Sequence, residues 1–101
     1  MTAFLNPFAH MEPERKMTNS ELVMALRHDL ATTEAAVSTY TAHAETTDHV
    51  LAKKVLMDIA NQERAHAGQL LRLIQIITGD EDNYLAKGKN IIDESEKNLL
   101  T

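Results

Sequence analysis

The sequence predicts an all-α protein: an antiparallel helical hairpin plus a short C-terminal helix, with two copies dimerising into a four-helix bundle. Three observations predict it. The composition leans helical, with only 3 Gly and 2 Pro among 101 residues and few β-branched runs. Two long segments carry apolar residues at three- and four-residue steps. A short polar turn separates them, which sets two neighbouring helices antiparallel. A hairpin alone leaves one broad apolar face in water, so burial asks for a second copy.

Residues 1–17 contain both prolines, Pro7 and Pro13, and no helical period. They read either as an extended tail, with Phe4 and Phe8 available to dock on a partner surface, or as simple disorder. Thr18-Asn19-Ser20-Glu21 fits a capping box, with Thr18 as N-cap and Glu21 at N3. From there Leu22, Leu26, Leu30, Thr33, Val37, Tyr40 and Ala44 form one stripe, and the first helix should end near Ala44–Thr46. The turn Glu45-Thr46-Thr47-Asp48 offers an N-cap at Thr47 or Asp48. The second helix should run from about His49 to Thr78 and stop at Gly79. Its stripe is Ala52, Val55, Ile59, Glu63, His66, Leu70, Leu73 and Ile77. A third helix is expected from about Asp82 to Leu99, where Leu85, Ile92 and Leu99 recur every seven residues as a seam for packing. The organisation is thus a tail (1–17), a hairpin (18–79) and a C-terminal helical segment (80–101).

Composition narrows the function. Net charge is −5, and no basic face offers a phosphate footprint, which argues against nucleic acid as a partner. Cysteine is absent, so disulfides, thiolate zinc sites and iron–sulfur clusters are excluded. Any metal must be held by carboxylates and imidazoles. Leu70 to Ile77 is interrupted by Arg72 and Gln75, so no membrane span is expected. The first residues lack a signal-peptide pattern, and a cytoplasmic location is expected.

Glu63 and His66 are anomalous because they sit inside an apolar stripe, one helical turn apart. Di-iron carboxylate bundles use Glu-x-x-His from each of two helices and a Glu from each of the other two. Carboxylate oxygens are hard ligands that bridge cations, and imidazole adds a nitrogen donor suited to iron. One chain supplies one such motif, and a homodimer supplies two. The alternative is a structural Glu63–His66 ion pair without metal. His28, His43 and His49 read as solvated surface residues, and Met24 and Met57 as packing.

At these residues the chain resembles the encapsulated ferritin-like proteins, short two-helix relatives of rubrerythrin-type domains. The matching positions are Glu21-Leu22, Leu26-Arg27, Ala36 and Tyr40, then Lys54, Leu56, Asp58, Ala60 and Glu63-x-Ala65-His66-x-Gly68. Residues 18–80 carry the resemblance, about two-thirds of the chain, and the Tyr40-to-Glu63 interval fits without a gap. It implies a ferritin-like dimer, often closed into a ring, with a di-iron ferroxidase centre shared between subunits and an encapsulin shell as a partner. Glu63 and His66 match the second-helix ligands, and Tyr40 matches a tyrosine close to the metal with a catalytic role.

The chain departs from that pattern at Thr33, where the family has its first-helix glutamate. Glu34 or Asp29 is the substitute carboxylate on offer. Gln62 also replaces a usually acidic neighbour. Two Glu63 and two His66 suffice for one divalent ion, whether iron, zinc or manganese, but leave a di-iron pair under-neutralised. Metal binding is therefore expected ahead of fast Fe(II) oxidation. The rival expectation is a degenerate ferritin-like helical module, kept as a structural or interaction protein. The last residues, Glu96-Lys97-Asn98-Leu99-Leu100-Thr101, do not match the Gly-, Leu- and basic-rich cargo peptide such proteins often carry, so a free oligomer is the alternative to an encapsulin shell.

Overall fold

The computed structural model describes residues 15–101, so the expected docking of Phe4 and Phe8 lies outside the described residues. Three α-helices make up the described chain: α1 (Asn19–Thr46), α2 (Val50–Thr78) and α3 (Glu81–Leu99). α1 and α2 pack along their length as a hairpin, and the backbone of α3 comes near only that of α2.

α1 begins where the capping box places it. The Glu21 N–H donates to Thr18 Oγ1 at 3.1 Å, and the Thr18 N–H donates to Glu21 Oε1 at 2.9 Å. Arg15 adds a two-pronged bond from Nη1 and Nη2 to the same carboxylate, at 2.7 and 2.9 Å. The Arg15 hydrogen bond, then the Thr18 N–H, lower the Glu21 pKa from 4.5 to about 2.

The turn departs from expectation. Neither Thr47 nor Asp48 caps α2; His49 does, its Nδ1 accepting from the Ala52 N–H at 3.1 Å. Thr47 instead holds the turn, accepting the His49 N–H at 3.1 Å. Gly79 closes α2 with φ 76, a left-handed conformation that a side chain would strain, and its N–H donates to the Gln75 carbonyl. Only Gly79 and Asp80 separate α2 from α3, which starts at Glu81, one residue earlier than expected. Arg27 grips Glu81 through Nη1 and Nη2 at 3.0 and 2.8 Å, tying the root of α3 to α1. Those bonds hold the Glu81 carboxyl below its ordinary range. Beyond Glu81 every residue of α3 is exposed.

The core is small. Among the described residues the buried apolar side chains are Leu26 and Ala44 on α1 and Ala60 and Ile74 on α2. The expected α1 stripe is the face turned inward, with Leu22, Leu30, Thr33, Val37 and Tyr40 half-buried around its two buried members. The expected α2 stripe is only partly so. Ala60 and Ile74 lie at its edge, while Val55, His66 and Leu73 are exposed. α2 is turned so that small Ala60 meets α1, which lets the helices approach closely and leaves the Val55, His66 and Leu73 side of the stripe facing outward.

Truncating Ile74, which is 0% exposed, to Ala should cost about 2–4 kcal/mol in denaturant unfolding. Ile76→Ala, at 61% exposure, should cost less than about 0.5 kcal/mol. Because its pKa is lowered on folding, Glu21 stabilises the folded chain above pH 4.5, and that contribution is lost as pH falls toward about 2. Thermal melts of Glu21→Gln against the parent chain should therefore differ at pH 6 and converge near pH 2.

Candidate metal centre

The helical period brings Glu63 and His66 to one flank of α2. Glu63 Oε1 and His66 Nδ1 lie 3.0 Å apart, the carboxylate side chain 25% exposed and the imidazole 56%. Glu63 thus sits at the margin of the α1–α2 seam, and His66 stands on the open side of the hairpin. Val55 and Leu73, each 45% exposed, share that open strip with His66.

The separation suits two roles. Without metal it is a hydrogen-bond distance. With metal, two bonds of roughly 2.1 Å meeting at about 90° span about 3.0 Å, so the pair can chelate one cation with little rearrangement. Two donors are too few, since four to six are the usual complement. Among the described residues no three His, Cys, Asp or Glu side chains converge as a metal-holding group. Among its described residues one protomer therefore presents a fitting pair of donors and no more.

Asp29 and Glu34 are both exposed and do not join Glu63 and His66 in such a group within one chain. They also differ in position. Measured from the buried Leu26–Ala44 line, Asp29 is rotated about 60° one way and Glu34 about 80° the other. On α2, Glu63 and His66 are rotated from Ala60 in the same sense as Asp29. In antiparallel helices equal senses of rotation open onto the same side. Asp29 thus shares the flank of Glu63 and His66, and Glu34 lies on the opposite flank. Thr33 and Tyr40 are half-buried in the seam facing α2.

The other histidines differ from expectation in part. His43 and His49 are exposed, but His49 is an α2 cap rather than a bystander, and His28 is half-buried rather than solvated. A histidine cap carries no strong sequence signal beside Thr47 and Asp48, which are better capping types. No helix among the described residues is long and apolar enough to cross a membrane.

An exposed pair on a helix surface contributes little to stability. Glu63→Ala and His66→Ala should therefore leave the thermal midpoint of the metal-free chain nearly unchanged. A large drop would assign the pair a structural role instead.

No protein-family model and no solved structure matches the chain. Among curated proteins, the encapsulin nanocompartment cargo protein EncC of Myxococcus xanthus (strain DK1622) is 38% identical over 69 residues. The match covers 68% of this chain and 52% of that protein, so the chain spans about half the length of the relative it matches. The chain is a distant partial homologue of an encapsulin cargo protein.

Proposed function

We propose that this chain is a ferritin-like metal-binding protein that binds iron at a site shared across a homodimer, with Fe(II) as the substrate for oxidation and storage. One observation carries the reading: a Glu63–His66 pair with a chelating 3.0 Å separation lies on the flank where the hairpin leaves Val55 and Leu73 uncovered. A two-fold contact on that flank covers the apolar strip and doubles two donors to four. Covering a half-exposed Val or Leu contributes about 1 kcal/mol each, so assembly and metal binding favour the same arrangement.

In this arrangement Glu63 chelates or bridges, and His66 is a terminal nitrogen ligand. Tyr40, half-buried in the seam, is placed to hydrogen-bond or pass an electron close by. Asp29 is the better substitute carboxylate than Glu34, because it lies on the flank where the site would close. Zinc and manganese satisfy the same donors. The homology to EncC supports an encapsulin shell as the partner that encloses the assembly.

Thr33 favours a second reading. Its hydroxyl stands where the resembled family has a glutamate, and it leaves the site short of negative charge. A chain of this kind keeps the dimer and lacks ferroxidase turnover, serving as a structural or interaction module.

Anaerobic Fe(II) titration should show saturable binding in the parent chain and none in Glu63→Ala/His66→Ala. Equal binding by both would remove the ligand assignment. Oxygen consumption after Fe(II) addition separates the two readings, since a rate no faster than buffer supports the module. Thr33→Glu should raise that rate by about tenfold or more if the missing carboxylate limits turnover.

A further inference from the structure

We propose that α3 pairs antiparallel with α3 of a second copy, about a two-fold axis passing between Ile91 and Ile92. The surface is separate from the metal flank, and the inference stands apart from the function proposed above. α3 leaves the hairpin after two residues, is anchored at its root by Arg27–Glu81 and Arg72–Asp82, and has no backbone contact with α1. Its apolar side chains remain in water: Tyr84 is 63% exposed, Ile91 64%, Ile92 67% and Leu99 88%. With Leu85 they form one stripe, in which Gly88 and Ser95 are the small members.

The order of large and small residues along that stripe is self-complementary when reversed. Around an axis between Ile91 and Ile92, each isoleucine meets an isoleucine of the partner subunit. Gly88 then falls opposite Ser95 of the partner subunit, and Tyr84 opposite Leu99 of the partner subunit. Small against small allows the two backbones to close in, and nothing within 4 Å obstructs the Gly88 face. Large residues fill the centre and ends.

Charge selects the direction. Lys89 and Glu96 border one side of the stripe, and Lys87 and Glu94 border the other. In an antiparallel pair like sides face each other, which sets Lys89 against Glu96 of the partner subunit and Lys87 against Glu94 of the partner subunit. The two-fold repeats both, giving four opposite-charge pairs. In an in-register parallel pair unlike sides face each other, setting lysine against lysine and glutamate against glutamate. The parallel form is therefore penalised at the same positions that favour the antiparallel one. Lys89 keeps its bond to Asp93 at 3.3 Å within its own helix, and Lys87 lies 5.3 Å from the Tyr84 ring centre. Both lysines thus border the seam with stems that cover its edge.

Absence of native cysteine makes the test clean. Full-length Gly88→Cys is mixed with full-length Ser95→Cys under mild oxidation, and disulfide-linked dimer is measured on a non-reducing gel. The mixture should yield about tenfold more linked product than either variant alone, because only the mixed pair meets disulfide geometry. Placing Lys87→Glu/Lys89→Glu in the Gly88→Cys chain should lower the yield, and adding Glu94→Lys/Glu96→Lys to the Ser95→Cys chain should restore it. Linked product from the single variants that equals or exceeds the product from the mixture would establish a parallel pair and overturn the proposal. So would absence of product in every combination from chains that retain parent helicity by circular dichroism, or failure of the compensating charges to restore it.

Discussion

A two-helix hairpin cannot surround its own apolar residues, and most of this molecule follows from that constraint. Each helix has one neighbour where a bundle would give it two. Of the described apolar side chains, only Leu26, Ala44, Ala60 and Ile74 are buried. Leu73 is 45% exposed directly beside Ile74, which is fully covered. That contrast is the edge of a half-built core. What stabilises the remaining strip has to come from outside the described residues.

The Glu63–His66 pair lies along the same edge. A carboxylate and an imidazole in the middle of a closed core would need full pairing within the chain. At the open edge they are tolerated by water in the monomer and are available to a second copy. The placement thus couples two needs: covering apolar surface, and completing a donor set that the described residues of one chain leave at two. Metal binding and association, on the account proposed above, are two aspects of one equilibrium. α3 repeats the pattern on a smaller scale, since its stripe is also left without a partner among the described residues.

Much of this was legible in the residues. The Thr18–Glu21 capping box and the Gly79 stop are strong local signals because each satisfies a specific backbone need, and both appear as read. The α1 stripe likewise faces inward. The His49 cap was not legible, because capping preference ranks Thr47 and Asp48 above histidine. The orientation of α2 was missed for a different reason. A stripe read from bulky residues centres on Ile59 and Ile77, whereas close packing turns Ala60 toward α1. Alanine adds little to any apolar pattern, yet it decides how near two helices come. Pairing of Glu63 with His66 followed from their spacing alone. The choice between Asp29 and Glu34 required the direction in which each helix rotates away from the seam, which only the packed hairpin supplies.

The central claim is that one metal site belongs to two chains, and the concentration dependence of metal affinity tests it most directly. Fe(II) binding would be measured anaerobically across dilutions spanning the monomer–dimer transition, with sedimentation equilibrium run in parallel. A shared site predicts that affinity falls as the protein is diluted into monomers, and that metal tightens the dimer by the same factor. An affinity independent of protein concentration, with each monomer binding its own ion, would contradict the account.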